Sequence, residues 1–430
     1  MSPVSYGQLV RTNRNFRHWW GGQIVSQLGD WFNVITVNAL LLQYTGNELS
    51  LLGFTLAQML PGFLLGPLAG VIVDRFSRKG VMIAADLARA AIALGLLLFR
   101  GPETAWIAYA CILGLQVFAA FFEPARMATL PAITTKDELV TANALSSVTW
   151  SILLTSGALA GSVVAGLFGP SAAFVLNSVS FLGSALLLAG LRVPPAAGGG
   201  APSRGLGDLV DGFAYMRRHP QIAGALTAKL GWGLAGGVQV LLIVYGQRIF
   251  PLGNDPSGVV AIGILYAAGG LGTALGPIVA RRLTGRELPR IRWAIALSFL
   301  MAGVFYACMG GAPNLGVTAA FLLAARLHGA IVWVFSTVLL QLLVEDRFRG
   351  RVFAAETSLF TLTMMLSTAG VTLALRQDWA SVPQLMVILG GSSLGVGIVW
   401  LLRLLRGRLP GPAPGAAGAA SEPEGESAAG

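Results

Sequence analysis

Twelve long apolar runs constrain this chain more than any other feature. They cover residues 18–44, 51–73, 80–99, 104–124, 143–168, 170–191, 221–249, 257–280, 291–311, 315–344, 352–375 and 382–405. A helix of about 20 apolar residues crosses a bilayer core. The runs are continuous rather than alternating, so they are not the strands of an outer-membrane barrel. Only 11% of the residues are charged, against about 25% in soluble domains, which excludes an ordinary soluble enzyme. The first run is too long for a signal-peptide core and ends in no small-residue cleavage pattern, so it is expected to stay as a span. The expected fold class is an all-α integral membrane protein with twelve transmembrane helices.

The chain is basic, with a net charge of +10. In a soluble protein that would suggest nucleic acid. The positions of the charges say otherwise. With twelve spans, 23 of the 29 Lys and Arg residues fall on the side of the N-terminus, and only Arg100, Arg248 and Arg376 fall on the other. Arg89, Lys229 and Arg326 lie within spans. Cytoplasmic loops carry the excess of Lys and Arg, so both termini are expected in the cytoplasm of a cell (inner or plasma) membrane. The expected partners are the lipid bilayer and a small-molecule substrate, with no nucleic acid.

The longest loop divides six runs from six. The expected organisation is a bundle over 1–191, a cytoplasmic linker over 192–220, a second bundle over 221–405 and a disordered tail over 406–430, rich in Pro, Gly and Ala. Residues 208–218 read as a short amphipathic helix on the membrane surface. The halves echo each other: Gly70-x-x-x-Asp74-Arg75 ends the second run and Gly276-x-x-x-Ala280-Arg281 ends the eighth. A repeated six-plus-six layout is a transporter architecture.

Polar residues inside spans mark candidate functional positions, because a lipid-facing charge is costly. Asp30 lies about twelve residues into the first run. At about 100° per residue, Gln23, Ser26, Gln27, Asp30, Asn33 and Asn38 share an arc of roughly 140°, which suits the wall of a wet cavity. Asp30 reads either as a proton-binding carboxylate or substrate contact, or as a structural carboxylate bonded to another helix. Arg326 could pair with Asp30, meet an anionic substrate, or form a salt bridge without a transport role. Gln239 joins the cavity candidates, and Lys229 could reach the cavity or snorkel to the cytoplasm. Asp86 and Arg89, one turn apart near the cytoplasmic end of the third run, can hold each other's charge. Glu123 and Glu356 are expected in a cytoplasmic charge network. Gly62, Gly66 and Gly70, spaced by four, read as a packing seam.

The stretch Gly70-Val-Ile-Val-Asp74-Arg75-Phe-Ser77-Arg78-Lys79 resembles the signature loop of the major facilitator superfamily, Gly-x-x-x-Asp-Arg-x-Gly-Arg-Arg/Lys, with Ser77 where the family usually has Gly. Glu123-Pro124-Ala125-Arg126, Ala142-Asn143-Ala144-Leu145 and Arg349-Gly350-Arg351-Val352 are similar to the branch of twelve-span exporters that includes macrolide and enterobactin efflux proteins. Gly157-x-x-x-Gly161-Ser162-x-x-Ala165-Gly166 resembles an antiport motif of superfamily exporters, departing from it at Ser162 and Ala165. The resemblance implies two six-helix bundles and, by family default, a monomer. It also implies a cytoplasmic gating role for Gly70, Asp74, Arg75 and Arg78, to which Asp86, Arg89 and Glu123 are added here.

None of the three lysines follows a glycine, so there is no phosphate-binding loop of the Gly-Lys type and ATP is not the direct driver. No catalytic or metal-ligand motif is visible, and no cofactor is expected beyond a proton as coupling ion. The expectation is a non-enzymatic secondary transporter that exports a hydrophobic or amphipathic small molecule in exchange for protons. The competing expectations are an importer or uniporter of a polar metabolite, and a transport-inactive assembly factor.

Overall fold

A computed structural model describes residues 4–193, 206–252, 256–284, 288–344 and 346–406. The centre of the expected linker and nearly all of the expected tail lie outside the described residues. The first half consists of α1 (Tyr6–Thr12), α2 (Arg14–Thr45), α3 (Leu49–Arg75), α4 (Arg78–Gly95), α5 (Ala105–Ile133), α6 (Lys136–Phe168) and α7 (Pro170–Ala189). A connecting helix α8 (Leu206–Arg218) follows. The second half consists of α9 (Pro220–Gly233), α10 (Val238–Val244), α11 (Val259–Thr284), α12 (Leu288–Gly310), α13 (Leu315–Leu343), α14 (Asp346–Arg376) and α15 (Val382–Leu405). Helices suit a bilayer because each satisfies its own backbone hydrogen bonds. Among the described residues, 11 helical segments are long and apolar enough to cross one. The helix α2 is not among them, although it has 32 residues; its polar stripe dilutes its hydropathy.

Several helices outrun the apolar stretches that announce them. The helix α6 begins at Lys136, seven residues before its run, behind a capping box in which Thr135 and Glu138 satisfy each other's backbone N–H groups. The helix α5 continues to Ile133 with Pro124 and Pro131 inside it. Apolar length measures the lipid slab, whereas caps and polar turns set where a helix stops. The seventh run departs from a single helix. It breaks after Gly233, resumes as α10, and ends in a π-turn over Tyr245–Ile249. The break lies against α14, where Ser367 Oγ accepts from the Gly237 N–H at 3.1 Å and donates to the Leu234 carbonyl at 2.5 Å. One hydroxyl thus satisfies backbone groups freed by the break. A Cβ on Gly236 would lie 2.6 Å from Met364, so this close approach requires glycine.

Packing follows small residues, as expected where apolar burial gives no advantage between helices in lipid. In the first half, α2 packs on α6 and α7, while α4 packs on α5 and α7. A Cβ on Gly161 would lie 2.9 Å from Phe32 Cα, and one on Gly157 would lie 2.9 Å from the Trp31 ring. In the second half, α12 packs on α13 and α15, and α11 on α13. The halves meet mainly along α6 and α11. There, a Cβ on Gly270 would lie 2.6 Å from Thr155 Oγ1, and one on Gly166 would lie 3.1 Å from Val260. Gly62 and Gly66 do not form the expected seam. A Cβ on either would meet nothing within 4 Å among the described residues, so no helix packs closely on them there.

Two ends of the molecule can be distinguished. The linker end carries α1 and α8. Asn13 caps α2 there and donates to the Ile133 carbonyl at 2.8 Å, and buried Leu9 anchors α1. The helix α8 packs on α14 rather than standing alone at the surface. Asp211 pairs with Arg351 at 3.2 Å, and Tyr215 stacks on Phe348 at 4.3 Å. At the opposite end Arg248, in the π-turn, pairs with Glu48 and donates to the Gly46 carbonyl at 3.1 Å. Gly46 ends α2 in the left-handed conformation, φ 61°, which glycine adopts without strain.

Candidate functional site

A cavity of about 720 Å³ lies between the halves. Its walls come from the middle and the linker-end portions of α2, α5, α6, α9, α10, α11, α13 and α14. The α6–α11 contact and the Arg248–Glu48 pair close the molecule toward the opposite end. Of the candidates, Gln23, Gln27, Gln239 and Arg326 line the cavity. The broken seventh segment carries Gln239 into this wall, where its Oε1 has no hydrogen-bond partner. Arg126 also lines it, bound to Glu123 at 2.8 Å and to Gln23 Oε1 at 3.1 Å. Ser146 donates to the same Gln23 oxygen at 2.8 Å.

Aromatic rings form much of the remaining wall. Trp232, Trp333 and Phe360 make a three-ring cluster with centroids 5.3–5.4 Å apart. Trp31 meets Tyr266 edge-on at 6.2 Å, one ring from each half. Such rings offer large, stiff apolar faces to a ligand.

Asp30, Asn33 and Asn38 do not line the cavity. Asn33 and Asn38 are buried inside the first half, Asn38 donating to the Val34 carbonyl at 2.8 Å. Asp30 faces Arg89 at 3.8 Å, with 43% of its side chain exposed. The partner of Asp30 is therefore Arg89 and not Arg326. Arg89 also grips Asp86 and donates to Ser26 Oγ at 3.3 Å. Its guanidinium is sandwiched between the Phe122 and Phe181 rings, 4.5 and 4.3 Å from their centroids. Asp86 and Arg89 stand 8 and 11 residues beyond Arg78, the first residue of α4, and both are buried. They belong to the interior of the first half rather than to its linker end, where buried Arg89 is neutralised by Asp86 on its own helix.

The second half buries its own pair. Lys229 and Glu356 meet at 3.2 Å with side chains only 6% and 2% exposed. The Lys229 ammonium lies 3.9 Å from the Trp333 ring centroid, directly behind the aromatic cluster. Glu356 is therefore not part of a solvent-facing cytoplasmic network, and Lys229 does not snorkel. Sequence reasoning left this pairing unmade, although both residues stood out as charges close to or within apolar runs.

Around the signature loop, Gly70, Asp74 and Arg75 lie outside the residues whose side chains are described. Arg78 donates to the Ala128 carbonyl at 2.8 Å, and Lys79 to the Ala189 carbonyl at 2.6 Å. Both contacts stay within the first half. Gly157 and Gly161 face α2, whereas Gly166 faces α11 of the other half.

Relatives share this architecture. An uncharacterized MFS-type transporter, YfiS, from Bacillus subtilis is 26% identical over 415 residues, which is 92% of this chain and 94% of the relative. Macrolide efflux protein A from Streptococcus pyogenes is 24% identical over 80% of this chain and 85% of its own length. Among solved structures, the nucleoside transporter NupG superposes with a TM-score of 0.71 over 90% of this chain and 99% of its own, at 13% identity. A bacterial homologue of the lysosomal transporter Spinster, inward-facing and occupied, gives 0.68 over 91% of this chain and 96% of its own, also at 13% identity. The family model of the Major Facilitator Superfamily matches residues 19–368, and with the membrane-crossing helices and the cavity between two halves it settles the family: the chain belongs to the Major Facilitator Superfamily and is a multi-pass membrane carrier of small molecules, not an enzyme.

Proposed function

We propose that this chain exports hydrophobic or amphipathic small molecules by proton antiport, as a twelve-span protein of two six-helix bundles, residues 1–191 and 221–405, joined by the 192–220 linker. The observation that carries the proposal is the cavity between the halves, about 720 Å³ with walls of aromatic rings and a few amides. That lining suits a sizeable, largely apolar ligand held by few polar contacts. The likeness to macrolide efflux protein A agrees with export. In this reading the linker end is cytoplasmic, following the 23-to-3 asymmetry of Lys and Arg. The cavity then lies toward the cytoplasm, ready to load, with the Arg248–Glu48 pair closing the outer face. The protein alternates access by rocking the halves about the α6–α11 contact.

Asp30 is the proton site of this cycle. Its cluster holds two acids and one base, Asp30 and Asp86 against Arg89, and a proton on Asp30 would balance it. Asp30 is not part of the cavity wall, so proton and substrate occupy separate sites in this reading. Gln23, Gln27, Gln239 and Arg326 contact substrate, while Asp74, Arg75, Arg78 and Glu123 gate the cytoplasmic face. The glycines Gly157, Gly161 and Gly166 let α6 approach both halves closely.

The test is accumulation of a panel of dyes and drugs in an efflux-deficient bacterial host, comparing wild type with empty vector, with and without a protonophore. Export predicts at least several-fold lower accumulation in wild type, erased by the protonophore. Accumulation equal to empty vector across the panel, or higher than it, contradicts the proposal.

A further inference from the structure

The walls of the central cavity carry two charged side chains among the described residues, Arg126 and Arg326, and no acid. Their situations differ. Arg126 is neutralised by Glu123 at 2.8 Å. Arg89 has Asp86 and Asp30, and Lys229 has Glu356. Arg326, midway along α13, has no carboxylate partner among the described residues. It is partly buried, its stem passes 3.4 Å from where a Gly269 Cβ would stand, and it shares the cavity wall with Tyr266 and Gln239.

A guanidinium keeps its charge at any physiological pH. A cation held in a low-dielectric span without a counter-charge is costly. Arg89, Arg126 and Lys229, the other cations at the middle of the spans or on the cavity wall, each have an acid supplied by the protein. For Arg326 the missing partner is one that enters through the cavity. The surrounding rings of Trp31, Trp232, Trp333 and Phe360 would cover a planar apolar body, and the Arg fork would take two oxygens of an oxyacid group. A cationic amphiphile would meet the opposite conditions, since neither Asp30 nor Glu356 lines the wall.

We infer that the substrate of this cavity is an amphipathic aromatic anion, with its oxyacid group on Arg326 and its ring system on the aromatic wall. The inference rests on the export reading for its direction of movement but not for the binding itself. It also carries an energetic consequence. Outward movement of an anion from a cell that is negative inside is favoured by the membrane potential.

The test uses two permanently charged probes with the same ring, 2-naphthalenesulfonate and N,N,N-trimethyl-2-naphthylammonium. Binding is measured by equilibrium dialysis against the full chain in zwitterionic nanodiscs, with empty nanodiscs subtracted. Flux is measured in proteoliposomes loaded with either probe. Wild type should bind the sulfonate saturably and at least tenfold more tightly than the ammonium. Arg326→Gln should weaken the sulfonate at least tenfold, while Arg326→Lys, which keeps the charge but not the fork, should weaken it less than Arg326→Gln does. The charge preference of wild type stands as a test even if Arg326→Gln fails to fold. Tighter binding of the ammonium, no saturable binding of the sulfonate, or unchanged sulfonate binding in a folded Arg326→Gln protein overturns the inference. Sulfonate binding without flux upholds it and contradicts export. Ammonium flux without sulfonate binding upholds export and overturns the inference.

Discussion

In the first half, Arg89 holds Asp86 and faces Asp30, and 43% of the Asp30 side chain is exposed. In the second half, Lys229 and Glu356 are sealed together, at most 6% exposed, behind the Trp333 ring. The first cluster has an acid in excess, and that acid is partly exposed. The second is balanced and dry. One arrangement can exchange a proton without dismantling its packing. The other can only be broken. In the proposed cycle the two clusters take different roles, because the balance of charges and the exposure of the acid limit what a buried group can do.

The largest effect that would break this contrast comes from Lys229→Met. It leaves Glu356 buried without its cation, and such breaks cost about 3–5 kcal/mol. Thermal unfolding of the detergent-purified variant should show a large loss of stability, recovered for the most part by Lys229→Met with Glu356→Gln. Equal stability of the single and double variants would mean the pair is not a structural strut.

A smaller effect is expected at the helix contacts. Gly161→Val forces a side chain against the α2 backbone and should cost about 1–3 kcal/mol. Gly62→Ala, on an open face, should stabilise by up to about 1 kcal/mol through helix propensity. The same thermal assay reads both, and a matching loss at Gly62 would contradict the placement of α3.

Asp30→Asn should cost less than the roughly 3–5 kcal/mol of a buried pair that loses its only partner, because Asp86 still neutralises Arg89. Its effect should fall on transport instead. The smallest stability effect belongs to Arg248→Gln, within about 1 kcal/mol for a partly exposed pair. It should show as increased labelling of a cysteine placed at buried Val259, in a Cys308→Ser background, by a membrane-impermeant thiol reagent, as the end opposite the linker opens more often.

The spans were legible because lipid thickness imposes a length and an apolarity that few other structures need. Caps and breaks were less so. The interruption at 234–237 is written in Gly231, Gly233, Gly236 and Gly237, yet its location depends on Ser367, which is 130 residues away. The polar stripe of α2 was visible, but an arc of roughly 140° is wide enough to serve two surfaces. Gln23 and Gln27 took the cavity, Ser26 and Asn33 are buried, and Asp30 turned to Arg89. The partner of Asp30 was not readable, because three in-span cations were equally eligible and only tertiary packing selects Arg89. Arg326 stood out in the sequence, but that it has no acid partner among the described residues is visible only once the other pairings are known.

The most direct test of the account compares wild type, Asp30→Asn and the Lys229→Met/Glu356→Gln double variant in one proteoliposome assay. A pH-sensitive dye in the lumen follows proton movement when a transported compound from the accumulation panel is added. The account predicts coupled proton movement in wild type and in the double variant, and at least a tenfold loss in Asp30→Asn at equal protein content. Undiminished coupling in Asp30→Asn, or its loss in the folded double variant alone, would contradict it.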